Sequence, residues 1–184
     1  MLRKFCFLLG LALMPALAAA QAPTTVTLGR GDSIVVHVAS DGAISAGAPT
    51  AAAPMSDFEA AALAQMNATT LVEDSKVQPP VPLDPGRSTR PTVQPGQVRI
   101  TLRALAPSSA HPKGEMMLSL ENGYDGALHY RAALRNGGRS MPTDVCIVLP
   151  HKFGFEHWPY PFERVGISDL RVIPWHEGDA VTCE

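Results

Sequence analysis

Basic side chains are too few in this chain to make the electrostatic footprint of a nucleic-acid or anionic-membrane binder. Fifteen lysines and arginines stand against seventeen acids in 184 residues, and both of those partners demand a basic excess. The standard catalytic spacings are missing too. There is no Gly-x-Ser-x-Gly elbow, no His-Glu-x-x-His and no phosphate-binding Gly-Lys-Ser/Thr loop. Scattered Ser, His and Asp without a spacing rule designate no triad. Only one stretch is strongly apolar, and it lies at the N-terminus. Cysteine is limited to three residues and aromatics to 6% of the chain. A small domain this poor in rings needs most of them inside.

The N-terminal stretch reads as an export signal. Arg3 and Lys4 give a positive start, Phe5 to Met14 is an uncharged apolar run, Pro15 breaks it, and Ala18-Ala19-Ala20 offers small residues to a signal peptidase. A membrane anchor needs about 20 predominantly apolar residues, and Phe5 to Ala20 is shorter and half of it is alanine. Residues 1–20 are therefore expected to be a cleaved signal peptide, with Gln21 first in a periplasmic or secreted product that has no membrane span. Cleavage leaves 13 basic against 17 acidic residues, a net charge near −4. It also removes Cys6 and leaves Cys146 and Cys183. Two cysteines in an oxidising compartment pair as a rule. A bridge across 37 residues would contribute roughly 4 kcal/mol in the chain-entropy model. The competing readings are two free thiols or a Cys nucleophile, which oxidation would remove.

Seventeen prolines and fifteen glycines indicate many turns and few long helices. Residues 21–46 are expected to form a β-hairpin: Val26 and Leu28, then Gly29-Arg30-Gly31-Asp32, then Ile34, Val36 and Val38, closed by Ser40-Asp41-Gly42. Arg30-Gly31-Asp32 matches an integrin-binding tripeptide, but turn chemistry alone explains it. Residues 47–96 are expected to be an Ala/Pro-rich linker with six prolines from Pro79 to Pro95. They hold one short helix near 57–66, where Ser56 and Glu59 make a capping box and Phe58, Ala62 and Met66 share a face. Residues 97–184 are expected to be a C-terminal β domain. Val98, Ile100, Leu102 and Ala104 alternate with Arg99, Thr101 and Arg103. Further strands follow around Met116–Leu120, Leu128–Leu134, Thr143–Leu149 and Val165–Val172, with Asn136-Gly137-Gly138 as a hairpin turn. The expected fold is mainly β: an antiparallel β-sandwich, immunoglobulin-like by preference and a barrel as the alternative.

The most distinctive surface candidate is aromatic. Six of the nine rings beyond residue 20 fall between Phe153 and Trp175. Within it, Pro159 and Pro161 push their predecessors into extended backbone. Trp158, Tyr160 and Phe162 are thus expected on one side, flanked by Glu156 and His157. Such a row would make a stacking platform for a glycan or a Pro-rich partner; the competing reading is that the rings fill the core. Glu156 and Glu163 are also a formal carboxylate pair for glycoside hydrolysis, without further support. His151, His157 and His176 are candidate copper or zinc ligands, but no close spacing places two on one element, and surface histidines explain them as well. No cofactor is called for.

Glu121-Asn122-Gly123-Tyr124-Asp125, Tyr130-Arg131-Ala132, Pro142-Thr143-Asp144-Val145-Cys146 and Glu156-His157-Trp158-Pro159 resemble small exported proteins of proteobacteria without assigned function. The resemblance covers about a third of the chain. It implies export and one compact C-terminal domain, and brings no catalytic residues. The function expected is a non-enzymatic envelope-interaction module whose partner is an envelope protein or glycan. An envelope hydrolase and a periplasmic copper or zinc carrier are the alternatives.

Overall fold

The computed structural model describes residues 25–70 and 91–183. The expected signal peptide and most of the proline run lie outside the described residues. Among the described residues the fold is mainly β, with two antiparallel sheets and one helix.

The first sheet holds four strands in the order β1 (Thr25–Gly29), β10 (Arg164–Ile173), β7 (Ala127–Asn136) and β8 (Arg139–Thr143). The second runs β3 (Ile44–Ala46), β2 (Asp32–Val38), β5 (Val98–Leu105), β6 (Glu115–Asn122) and β9 (Phe153–Trp158), with β4 (Thr50–Ala51) also pairing with β2. Strands alternate their side chains between two faces, and here one face of each sheet is apolar. Val26, Leu28, Leu128, Leu134, Val165 and Ile167 of the first sheet share one buried cluster with Val36, Val98, Ile100, Leu118 and Leu120 of the second.

The expected hairpin across Gly29-Arg30-Gly31-Asp32 is not formed. β1 pairs with β10 and β2 pairs with β5, so the tight turn carries the chain from one sheet to the other. The backbone N–H of Gly29 donates to the Asp32 carboxylate at 2.7 Å, and Gly31 takes the left-handed φ of 80° that the turn needs. Arg30 donates to the Phe162 carbonyl at 2.5 Å. The Arg-Gly-Asp tripeptide is thereby accounted for by the turn. The real hairpin in this region is β2–β3, closed at Ser40-Asp41-Gly42.

Residues 47–70 are not a bare linker. They supply β4 and the helix α1 (Asp57–Thr70), which is longer than the expected 57–66. The capping box forms as its sequence spells: the Ser56 hydroxyl accepts from the Glu59 N–H at 3.2 Å, and the Glu59 carboxylate accepts from the Ser56 N–H at 2.8 Å. Asn136-Gly137-Gly138 makes the β7–β8 hairpin, with Gly137 and Gly138 both at positive φ.

The expected strand over Thr143–Leu149 is also corrected. β8 ends at Thr143, and the following segment makes only isolated bridges, Leu128 to Val148 and Cys146 to Cys183. Val148 packs so closely over β9 that any side chain at Gly154 would collide with it. Cys146 and Cys183 form the expected disulfide. It ties the C-terminal segment to this irregular segment rather than joining the two sheets.

Candidate functional site

The outer face of the six-stranded sheet carries the polar residues that alternation removes from the core. On β5 these are Arg99, Thr101 and Arg103; on β6 they are Glu115, Ser119 and Glu121, with the apolar Met117 on the same face. Register sets Arg99 against Glu121 and Thr101 against Ser119. Ser33 of β2 lies opposite Thr101 on the other side. The helix α1 and the segment before it, residues 52–56, cover part of this face. A groove of about 430 Å³ remains between them, with Thr50, Thr92 and Phe153 at its walls.

One buried carboxylate holds this roof to the sheet. Glu59 accepts hydrogen bonds from Arg103 Nε and Nη2, each at 3.1 Å, and from the Ser119 hydroxyl at 3.1 Å, besides its capping bonds to Ser56. Burial alone would raise its pKa. The Ser56 N–H, the Arg103 guanidinium and the Ser56 hydroxyl together outweigh burial and hold the carboxyl below its ordinary value. Arg103 also donates to the Ala53 carbonyl at 2.6 Å. On the apolar side, Phe58 of α1 meets the rings of Phe153 and Phe155 with centroids 5.0 and 5.8 Å apart.

The second ion pair lies at the other end of the groove. Arg99 Nη1 donates to Glu121 at 2.8 Å and to the Thr92 hydroxyl at 2.9 Å, while the other Glu121 oxygen accepts from Thr92. Between the two pairs the Ser33 and Thr101 hydroxyls bond to each other at 2.9 Å.

The aromatic residues expected on one surface are divided. Trp158 and Phe162 point into the core, 6% and 1% exposed, with their rings edge-on at 5.3 Å. Trp158 donates its indole N–H to Thr143 at 3.0 Å. Tyr160, 44% exposed, points outward. The strand ends at Trp158, so the period of two that would align the three rings stops there. They form no common platform.

Glu156 faces inward as well, where its carboxylate accepts from Tyr130 OH at 3.2 Å and from the Cys146 N–H at 3.1 Å. Burial raises its pKa, only partly offset by those two bonds. The Tyr130 phenol is raised well above its ordinary value by burial and by the Glu156 charge. His157 points the other way, to the outer face, and its Nε2 meets Glu115 at 2.6 Å. Glu163 is exposed and its N–H bonds to the Arg135 carbonyl; it and Glu156 face different surroundings.

The three candidate metal ligands are not gathered. His151 meets Asp125 at 2.8 Å, His157 meets Glu115, and His176 lies 3.5 Å from Asp179. Among the described residues no group of three His, Cys, Asp or Glu is placed to hold a metal ion. Among them, too, no helix is long and apolar enough to cross a membrane.

Sequence reasoning missed the groove. Its residues stood apart in the sequence: Arg99, Thr101 and Arg103 as the polar half of an alternating strand, Ser56 and Glu59 as a helix cap, and Phe153 at the edge of the aromatic cluster. Comparison with family models, with curated proteins and with solved structures found no match.

Proposed function

We propose that this is an exported, non-enzymatic binding module of the bacterial envelope, built as an antiparallel β-sandwich, and that the roofed groove on its six-stranded sheet is the binding site. The observation that carries the reading is the groove itself: a concavity within the roughly 300–1,000 Å³ range of small-molecule sites, lined by hydroxyls, two ion pairs and one aromatic ring. Its carboxylates are held by arginines, and the Ser33 and Thr101 hydroxyls by one another. This arrangement suits recognition by hydrogen bonding: the Ser119 and Thr92 hydroxyls donate to Glu59 and Glu121, carboxylates that Arg103 and Arg99 already engage. The shared apolar core supports the sandwich. The short turn from β1 into the facing sheet and the placement of the disulfide outside both sheets do not favour the immunoglobulin-like variant.

Export is supported by the signal pattern of residues 1–20, by the Cys146–Cys183 disulfide, which suits an oxidising compartment, and by the resemblance to small exported proteobacterial proteins. The groove replaces Trp158, Tyr160 and Phe162 as the surface offered to an envelope protein or glycan.

The test has two parts. Expressed in a bacterial host, the protein should be recovered from the periplasm with Gln21 at its N-terminus. The purified protein should then co-sediment with envelope extract, and a bulky maleimide on Thr50→Cys at the groove wall should abolish this. The same label on Val181→Cys, at an exposed site in the C-terminal segment, should not. Wild-type protein that ignores the envelope, or a Thr50 label without effect, refutes the proposal.

A further inference from the structure

The groove's charges are already spent on each other. Arg103 makes two hydrogen bonds to Glu59 and a third to the Ala53 carbonyl, and Glu59 is filled by Arg103, Ser56 and Ser119. Arg99 and Glu121 are paired at 2.8 Å. Two guanidiniums against two carboxylates leave no net charge to attract an anion or a cation. An apolar ligand is disfavoured as well, because it would cover hydroxyls and a guanidinium edge without giving them partners.

The unused hydrogen-bonding capacity is specific. Arg99 uses Nη1 for Glu121 and Thr92, and its Nε and Nη2 make no hydrogen bond among the described residues. In the Ser33–Thr101 pair one hydroxyl donates to the other, which leaves one hydroxyl hydrogen and several lone pairs unused. The planar Arg99 edge offers two parallel donors. Neighbouring hydroxyls on a sugar ring lie at a matching spacing. Phe153 closes the same groove with a ring supported by Phe58 and Phe155. The electron-rich face of such a ring attracts the C–H face of a sugar, which is weakly positive.

We propose that the groove binds a neutral saccharide ring, stacked on Phe153 and hydrogen-bonded by Arg99 and the Ser33–Thr101 hydroxyl pair. This rests on the reading of the groove as a binding site and adds the class of its ligand.

The experiment is a ligand-observed NMR titration of the full mature chain with glucose, N-acetylglucosamine and cellobiose. Glucuronate and glucosamine serve as charged counterparts of the same shape. The neutral sugars should bind saturably and the charged ones at least tenfold more weakly. Phe153→Ala and Arg99→Met should each weaken binding at least tenfold, while Tyr160→Ala, outside the groove, should leave it unchanged. Thr101→Val keeps the shape and loses the hydroxyl; it should also weaken binding and carries the test if Phe153→Ala does not fold. Absence of saturable binding by every neutral sugar overturns the proposal, as does binding indifferent to Arg99→Met and Thr101→Val. Binding of glucuronate alone overturns the neutral class but leaves the groove as a binding site. Loss of the binding-site reading shows separately, in a Thr50 label that leaves envelope association intact.

Discussion

Replacing Glu59 with alanine should release α1 from the sheet. The side chain is 9% exposed and its partner Arg103 is 13% exposed. The substitution removes the acceptor for two Arg103 donors, the Ser119 hydroxyl and the Ser56 N–H. Removing one member of a buried ion pair costs about 3–5 kcal/mol, because the other charge stays buried without a partner. Loss of a helix cap alone costs about 1 kcal/mol, which sets the expectation for Ser56→Ala as a control. A 14-residue helix is marginal in water without tertiary support, so undocking and melting should coincide. Amide exchange across α1 should accelerate by about a hundredfold or more at 1.4 kcal/mol per decade, while β5 and β6 keep their protection. Exchanging both partners, as Glu59→Met with Arg103→Met, should recover much of the loss, since apolar replacement of a whole buried pair is often neutral. The reasoning fails if α1 exchange in Glu59→Ala stays within threefold of wild type. It also fails if the Glu59 and Arg103 effects add within about 0.5 kcal/mol, the margin for independent sites. The pH dependence has a fixed sign. The folded-state carboxyl lies below its ordinary value, so the unfolded chain binds the proton first as pH falls. Docking of α1 is then fully present above the ordinary value and is lost as pH drops through the folded one.

Glu156 should behave with the opposite sign. Its folded pKa is raised by burial, so its contribution to stability declines as pH rises from the ordinary carboxylate value through the folded one. Glu156→Gln keeps an acceptor for Tyr130 and the Cys146 N–H while removing the charge; urea midpoints measured across that window should lose this decline and at neutral pH should match or exceed wild type. Replacing both Cys146 and Cys183 with serine should cost about 4 kcal/mol for the 37-residue separation, read as a urea midpoint that no longer responds to reductant; an unchanged midpoint would remove the bridge from the account of stability. Trp158→Ala should cost about 3–5 kcal/mol as a core truncation, whereas Tyr160→Ala should stay within about 0.5 kcal/mol as an exposed substitution; equal effects would contradict the division of the two rings.

Strands were legible where one face is buried. Val98-Arg99-Ile100-Thr101-Leu102-Arg103 can alternate only as a strand with its apolar half inward, and β5 obeys. The turn chemistry at Asn136-Gly137-Gly138 and the capping box at Ser56 and Glu59 were legible for the same reason: each is a local device whose partners lie within a few residues. What could not be read is register between distant strands. Nothing in the sequence sets Arg99 beside Glu121 or Arg103 beneath Glu59, 44 residues away, yet those pairings make the groove. Gly29-Arg30-Gly31-Asp32 failed for a related reason. A tight turn specifies the reversal of direction, but burial decides whether the next strand pairs in the same sheet or joins another. Here Val26 and Leu28 before the turn and Ile34 and Val36 after it belong to different sheets but to a single core.

The docking of α1 builds the groove from residues that are not distinctive in the sequence. The attraction to Trp158, Tyr160 and Phe162 rested on chemical distinctiveness, and burial claimed two of those three rings. The residues on the outer face are commonplace one by one: arginine, threonine, serine, glutamate. They become unusual because α1 is held over them by a buried carboxylate, Glu59, as well as by the ring of Phe58. A helix fixed only by an apolar stripe would lie flat on the sheet and exclude water from its face. Glu59 instead reaches Arg103 and Ser119 at one end of α1, and the polar face beyond it toward Arg99 stays open. A buried ion pair is a poor source of stability compared with an apolar contact of the same size. Its use here is accounted for by what it leaves accessible, which ties the docking of α1 and the binding proposed for the groove to the same side chain.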